Sequence, residues 1–384
     1  MTLIRIVFVD DESSVLHAMR RTLHGMRDSW NMEFLSSSLL ALESLAKTPA
    51  DVIVTDMRMP GMDGWELLAE VKRLYPQTVR LVLSGYAEAG AIMRLIGSAH
   101  QYIAKPGESA ALKAAIAQTQ LMRTLLSDEK LALLVGEVSL LPVFPRSVEE
   151  ISECLRRPNA TVADAARIIS RDVAMTANVM KLVNSAFFGA RRQVTNVERA
   201  VAYLGFDTLS SLVLGHGLFR DAGSGALERV WRHSLDTAMA ARAIALAEGL
   251  PQNRVDEAFL TGMLHDVGRV VFATRPPGEA ISDPEIDRHH AEVGAYLLGL
   301  WGFPSHIVAA VALHDTPSLR ADKGFDLTML VHLANRLALR HPGETPTPGD
   351  CGIEPGSLEE LNALDRWPRW VAAAASSRSE EQRS

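Results

Sequence analysis

The chain has almost no cysteine. Two in 384 residues, Cys154 and Cys351, exclude a disulfide framework and fit a reducing compartment. It has no basic excess: 39 Lys and Arg against 46 Asp and Glu give a net charge of −7, unlike the positive footprint of a general nucleic-acid binder. It opens on no signal peptide, because "MTLIRIVFVDDESS" turns acidic after a short apolar run and lacks a basic start and a cleavage site. It has no long uninterrupted apolar run. The most apolar window, "AVAYLGFDTLSSLVLGHGLF" (200–219), carries Asp207, His216 and three glycines, and so reads as buried helices rather than a membrane span. Fixed-period repeats are missing too. These absences lead us to expect a cytoplasmic protein with no membrane partner.

Apolar residues make up 47% of the chain, ample for real cores, and the length suits two or three compact units. Residues 1–120 alternate between two periods. The β-branched runs "LIRIVFV" (3–9), "DVIVTD" (51–56) and "VRLVLSG" (79–85) read as buried parallel strands. The segments "SSVLHAMRRTLHGM" and "GWELLAEVKRLY" between them read as helices. That alternation predicts a doubly wound α/β domain. From Ser109 a helical pattern with few breakers runs toward Pro142 and predicts a semi-rigid connector over 109–140. From 146 to 341 nearly every segment has a period near 3.6 residues, with polar starts and Gly or Pro stops. The stretch "HPGETPTPGDCGIEPG" (341–356) reads as a linker, 357–376 as a short helix, and "SSRSEEQRS" as disordered.

Asp10 and Asp11 follow the first strand run and Asp56 ends the second. The carboxyl edge of an open α/β sheet is where ligands bind, and clustered carboxylates there suit a hard cation such as Mg²⁺. Ser84 ends a further strand, and Lys105 precedes Pro106 after "QYIA". Together they make a phosphoryl-accepting site, with Asp56 as nucleophile, Mg²⁺ and Lys105 offsetting charge, and Ser84 hydrogen-bonding a phosphoryl oxygen. "VDDE", "DMRMPGMDGWELL", "LSGY" and "YIAKP", in this order and spacing, resemble the receiver domain of response regulators over residues 1–122. The resemblance implies a five-stranded parallel sheet. It implies Asp56 as phosphoacceptor and Lys105 as catalytic lysine, with Ser84 and Tyr102 as switch residues. It also implies Mg²⁺ held by Asp10, Asp11, Asp56 and the main-chain carbonyl of Arg58. A sensor histidine kinase would be the phosphodonor.

Eight of the twelve histidines fall between 233 and 341. Within the apolar run "TGMLHDVGRVVF" stand His265 and Asp266. Neighbours on a helix diverge by ~100°, so a shared ion would have to lie at the seam between their faces, with further ligands from facing helices. Candidates are His233, His290, His314 and a residue of "VHLANRLA". The order His233, His265-Asp266 is similar to that of the HD phosphohydrolases, but Asn335 stands where those carry a final Asp. The HD-GYP branch, which cleaves cyclic dinucleotides, would want paired histidines where this chain has Leu313-His314, Lys where Arg269 stands, and a Gly-Tyr-Pro triplet that "HDTPSLRADKG" lacks.

The motifs "LPVFPRSVEEI", "ISRDVAMTANVMKLVNSAFFG", "VTNVERAVAYLG" and "LHDVGRVVF" resemble the HDOD domain, an all-helical relative of the HD hydrolases that generally lacks the full metal set and serves as a signalling output. Local pattern agrees with a packed bundle, since Val173, Thr176, Ala177, Met180 and Val183 or Asn184 form one helical stripe closed by Phe187-Phe188-Gly189. The expected organisation is a receiver at 1–122, a connector at 109–140 overlapping its last helix, and an all-α HDOD domain at 141–341. The last divides into an N-terminal part, 141–225, and an HD-like part, 226–341; 342–384 forms linker, short helix and tail. His233, His265, Asp266, His290, His314 and Asn335 then form a vestigial metal site. Three readings of it stay open: a buried hydrogen-bonded pair fixing helix packing, a metal site without turnover, and a live phosphohydrolase. Arg191-Arg192 reads as a solvated loop. The expected function is a response regulator without enzymatic output. It would act on an unidentified downstream signalling protein, without binding DNA itself because no basic recognition helix follows the receiver; a homodimer is compatible. The alternative is a phosphorylation-gated, metal-dependent phosphohydrolase of nucleotides or cyclic dinucleotides.

Overall fold

Alternating apolar runs and amphipathic segments build the N-terminal sheet. In a computed structural model, which describes residues 3–84, 98–104, 109–126, 128–184, 193–215, 225–275, 282–320, 324–340, 346–353, 358 and 363–381, five parallel strands stand in the order β2-β1-β3-β4-β5. They are β1 Ile4–Val9, β2 Trp30–Leu35, β3 Val52–Asp56, β4 Val79–Ser84 and β5 Gln101–Ala104. Val9 pairs with Leu35 on one side and Thr55 on the other, so strand order reverses between β1 and β3. Helices α1 Ser13–Thr22, α2 Ser38–Lys47 and α3 Gly64–Leu74 connect the first strands. Val7, Val9, Ile53 and Val82 pack with Ala41, Leu45, Leu67, Leu68 and Val71 on one face of the sheet. This is the doubly wound architecture expected from the sequence. The strand β2 was not singled out there, because five of its six residues are only partly buried or exposed and its apolar signal is weak.

The connector departs from expectation. It is not one rod but two helices, α4 Ser109–Leu125 and α5 Glu129–Glu137. The break has a local cause: the Asp128 carboxylate accepts from the backbone N–H of Lys130 and Leu131, an N-cap that starts a new helix. The new helix is then anchored to the sheet domain, where buried Arg80 donates to the Gly136 carbonyl at 2.8 Å.

The chain divides into two compact units, one of 1–140 with 181–193 and 296–303, the other of 141–180, 194–295 and 304–384. The second contains α6 Pro145–Arg156, α7 Val162–Ile169, most of α8 Val173–Asn184, α9 Val197–Gly215, α10 Gly225–Ala247, α11 Gln252–Leu264, α12 Val267–Phe272, most of α13 Asp283–Leu300, α14 Ser305–Leu313, α15 Leu327–Ala338 and α16 Trp367–Glu381. The expected stripe on α8 is buried, but so are Ala174, Met175, Val179 and Leu182; the helix is enclosed all round. Its expected closing residues, Phe187, Phe188 and Gly189, lie outside the described residues, as do Arg191 and Arg192.

The C-terminal segment also differs from expectation. The last helix continues to Glu381, through residues read as disordered, and Trp367, Trp370, Val371 and Ala374 join a core with Ala241, Ile244, Leu330 and Leu333. Trp370 donates its indole N–H to Glu248 at 2.8 Å and stacks on Phe325. Two tryptophans on one face supply the buried area that the polar composition of this tail conceals. Among the described residues no helix is long and apolar enough to cross a membrane.

Candidate functional sites

The receiver carboxylates fall at the carboxyl ends of neighbouring strands. Asp10 and Asp11 directly follow β1 and Asp56 ends β3, the adjacent strands between which the order reverses. Asp10 is buried, Asp56 half-buried, and Asp11 and Arg58 exposed. Asp10 Oδ1 accepts from the Glu12 N–H at 3.0 Å and Asp56 Oδ2 from the Arg58 N–H at 2.9 Å, which fixes both side chains. Gly64 is required where α3 begins, since a Cβ there would stand 2.0 Å from the Asp56 carbonyl oxygen. The Asp63–Glu66 capping box holds that helix start in place. Tyr102 lies on β5, buried, with no partner for its hydroxyl among the described residues, and burial pushes its pKa up. Ser84 ends β4, but its side chain, like all of Lys105, is outside the described residues.

The second unit assembles the histidines. Among the described residues, two groups place three candidate ligand atoms within 4.8 Å of one another: His233, His265 and Asp266, and Asp266, His290 and His314. The receiver carboxylates do not meet that distance. Helical periodicity alone does not explain how His265 and Asp266 face one centre. α11 ends at Leu264 and α12 begins at Val267, with Asp266 in a non-helical conformation (φ −99°, ψ 14°) between them. The pair is therefore not on one continuous helix, as the sequence suggested, but at a break that turns both side chains inward. Gly268 allows α13 to approach, because a Cβ there would lie 1.9 Å from the His290 carbonyl oxygen.

Asp266 divides the cluster into two lobes. In the first, His265 Nε2 stands 3.6 Å from Asp266 Oδ2 and 3.3 Å from His233 Nε2, and His233 Nε2 is 2.9 Å from Asn335 Oδ1. Arg269 Nε is 3.1 Å from that same Asp266 oxygen, and its Nη1 is 2.6 Å from Asp287. In the second lobe His290 Nε2 is 3.1 Å from Asp266 Oδ1, and His314 Nε2 3.8 Å. A further carboxylate enters here: Asp315 Oδ2 lies 3.3 Å from His290 and 3.5 Å from His314. The sequence held a signal for it, since His314-Asp315 is a second adjacent His-Asp pair. His332, on the segment searched for a ligand, instead donates Nδ1–H to the His314 carbonyl at 2.7 Å.

Charge is distributed unevenly across this buried cluster. Burial lowers the pKa of His265 to about 3 and that of His332 to about 4, and it lowers His314 as well. Burial also opposes charge on His290, but hydrogen bonds to Asp266 and Asp315 outweigh it and lift the pKa to about 9. Burial would raise Asp266, yet the neighbouring imidazoles and Arg269 hold it well below the usual carboxylate range. Asp315 is lowered by His290 and His314 in the same way against its burial.

A parallel sheet with carboxylates at its switch point thus stands in one chain with a helical unit that carries a His–Asp cluster. Residues 6–117 match the response regulator receiver domain and residues 141–317 the HDOD domain. The chain belongs to the receiver–HDOD response regulators of two-component systems. An uncharacterized protein of Treponema pallidum is 29% identical over 233 residues, 56% of this chain and 45% of that one. The hydrogenase transcriptional regulatory protein HoxA of Cupriavidus necator is 39% identical over 103 residues, 26% of this chain and 21% of its own. The chain thus spans less than half the length of these relatives. Among solved structures, the MmoQ response regulator of Methylococcus capsulatus aligns at 25% identity over 58% of this chain and 97% of its own, with a TM-score of 0.45. The signal receiver domain of an HD domain-containing protein of Pseudomonas fluorescens aligns at 26% identity over 32% of this chain and 98% of its own, with a TM-score of 0.31.

Proposed function

We propose that Asp56 accepts a phosphoryl group from a sensor histidine kinase, and that the HDOD half relays the change by protein contact in the cytoplasm, without phosphohydrolase turnover. The observation that carries this reading is the placement of Asp10, Asp11 and Asp56 at the carboxyl ends of β1 and β3, the strands between which the order reverses. Their oxygen donors suit Mg²⁺, held with the main-chain carbonyl of Arg58, which would offset charge on the transferring group. A carboxylate oxygen of Asp56 attacks phosphorus, the P–N bond to the donor histidine breaks, and an acyl phosphate forms. Ser84 and Lys105 then engage the phosphoryl oxygens, and the added charge favours a second arrangement around Tyr102. On the output side, turnover would need a firmly held metal with an open position for water. Asn335 is neutral and engages His233, and Arg269 occupies the outer oxygen of Asp266.

Incubation with a small phosphodonor and Mg²⁺, followed by mass mapping, tests the phosphotransfer. Labelling is expected at Asp56 and lost in Asp56→Asn; equal labelling of that variant would overturn it. Phosphodiesterase assays with Mn²⁺, Fe²⁺ or Mg²⁺ on cyclic dinucleotides and a generic diester are expected to be silent. Metal-dependent turnover that disappears in His265→Ala would promote the enzyme instead.

A further inference from the structure

We propose that the end of α13, held by Gln101 of β5 and Gln118 of α4, is the arm through which the receiver acts on the helical unit, and that the α4–α5 connector does not carry the signal. The inference rests on phosphotransfer at Asp56 for its trigger, but not for the arm itself. It starts from how α13 stops. A helix leaves its last carbonyls without intrahelical partners. Gly302 turns the chain here with φ +77°. Its N–H donates to the Gly299 carbonyl at 3.1 Å, and the Phe303 N–H donates to that of Leu298 at 3.0 Å, a Schellman closure. Glutamine side chains complete the end. Gln101 Nε2 donates to the Leu300 carbonyl at 3.0 Å and lies 3.4 Å from that of Gly299. Gln118 Nε2 donates to the Phe303 carbonyl at 2.9 Å, and Gln193 Nε2 to that of Gly302 at 3.2 Å.

Two of these three glutamines stand on receiver elements, and the approach there is close. A Cβ at Gly299 would lie 2.1 Å from Met122 Sδ on α4. Leu297, Leu298, Trp301 and Phe303 are at most 1% exposed. Tyr296–Phe303 accordingly belongs to the first unit, whereas residues 283–295 of the same unbroken helix belong to the second.

The sheet links the phosphoryl site to this end. Asp56 on β3 pairs with Leu83 on β4, and Leu83 with Ile103 on β5, two residues from Gln101. Between them stands Tyr102, buried, with no partner for its hydroxyl among the described residues. An unsatisfied buried hydroxyl costs free energy and persists only where its surroundings hold it. Gln101, fixed to the end of α13, is such a hold on β5. A shift of β5 that gives the hydroxyl a partner therefore moves α13 with it. Farther up, α13 meets α12 backbone to backbone: a Cβ at Gly294 would stand 3.0 Å from the Gly268 nitrogen, so side chains cannot absorb the shift. The connector offers no such lever. Asp128 starts a new helix within it, and Arg80 ties that helix back to the sheet.

The test is hydrogen exchange by mass spectrometry on the full-length chain, with labelling of Asp56 by a small phosphodonor and Mg²⁺ quantified in the same samples. Without phosphodonor, Gln101→Ala/Gln118→Ala should speed exchange in residues 283–295 by roughly tenfold, as the helix opens from its freed end. Gln193→Ala, which uncaps that end from outside the receiver elements, should do less. Gln101→Ala alone is a milder form expected to act in the same direction, and thermal midpoints show that the variants fold. Phosphorylation of the parent should change exchange in 283–295, and the double variant, labelled to the same extent, should lose that change. Two glycines inserted before Asp128 should leave it in place. Parent-like exchange of 283–295 in both glutamine variants, a silent α13 in the labelled parent, a full response in the double variant, or loss of the response on glycine insertion would each overturn the proposal. Absence of label at Asp56 would overturn the trigger alone, and exchange without phosphodonor then decides the arm.

Discussion

Arg269 Nε lies 3.1 Å from Asp266 Oδ2, the carboxylate oxygen that faces His233 and His265. Asp266 is 5% exposed, so its charge is balanced by Arg269 on one side and His290 on the other. Removing one partner of a buried ion pair costs more than the pair contributes, because the remaining charge stays in low dielectric. We expect Arg269→Ala to destabilise the second unit by about 2 kcal/mol, the scale of a hydrogen bond to a charged group. Arg269→Lys should recover only part of this, because a single ammonium cannot span Asp266 and Asp287 as the guanidinium does. Urea unfolding monitored by circular dichroism provides the comparison. Equal stability of the parent and Arg269→Ala would show that Asp266 does not depend on this contact.

Gly268 sets the distance between the two halves of the cluster. An added Cβ would meet the His290 carbonyl oxygen at 1.9 Å and the Gly294 nitrogen at 2.8 Å, and backbone atoms cannot rotate aside as a side-chain end can. Gly268→Ala must push α12 from α13, at a cost of about 3 kcal/mol on the scale of overpacked cores. Asp266 and His290 would separate with it. A thermal midpoint within a degree of the parent chain would contradict the close approach.

The sheet domain was legible because two periods alternate cleanly and its three carboxylates fall at strand ends. What escaped was of another kind. The edge strand β2 carries too little buried apolar surface to stand out. The stop between α4 and α5 depends on one capping carboxylate, Asp128, in a segment otherwise rich in helix formers. At the His–Asp cluster, the residues named from sequence do converge, but the two-lobed arrangement around Asp266 needs the helix break at 265–266, and neighbouring residues on an assumed continuous helix would point apart. Asp315 was passed over because its stretch was searched for a Gly-Tyr-Pro triplet, although His314-Asp315 repeats the very dipeptide that drew attention to His265-Asp266.

The C-terminal helix illustrates the same limit in composition. Trp370 is fully buried, donates to Glu248 and packs in the core that contains Ile244 and Leu333, whereas the sequence shows only a short helix over 357–376 between a linker and a disordered tail. If α16 is an integral part of the second unit, Trp370→Ala should cost about 3–5 kcal/mol, as for other large aromatic truncations, and deletion from Trp367 onward should lower the midpoint at least as far. Differential scanning calorimetry of the two variants decides the matter. A deletion that leaves the midpoint unchanged would show that this helix adds nothing to the core.

A pH dependence is built into the first unit. Lys181 is 2% exposed, donates to the Ser139 carbonyl at 2.8 Å and sits 4.6 Å over the Trp301 ring. Burial lowers its pKa from 10.5 to about 7, with help from the charges of Arg80 and Lys72. His100, also buried beside Arg80, is held well below its ordinary value by burial first and by Arg80, Lys181 and Lys72 after it. Between pH 7 and 10.5 the unfolded chain binds a proton at Lys181 that the folded chain does not. Stability should therefore rise with pH across that window. Below about 7 both states hold this proton and the lysine contributes no further slope, while below 6.5 the unfolded chain alone protonates His100 and stability falls as acid is added. Lys181→Met keeps the apolar stem against Trp301 and removes the charge, so it should flatten the rise between pH 7 and 10 and leave the acid limb in place. Urea midpoints for parent and variant at pH 5.5, 7 and 9.5 are the measurement. An alkaline rise of the same size in Lys181→Met would place its origin elsewhere in the chain.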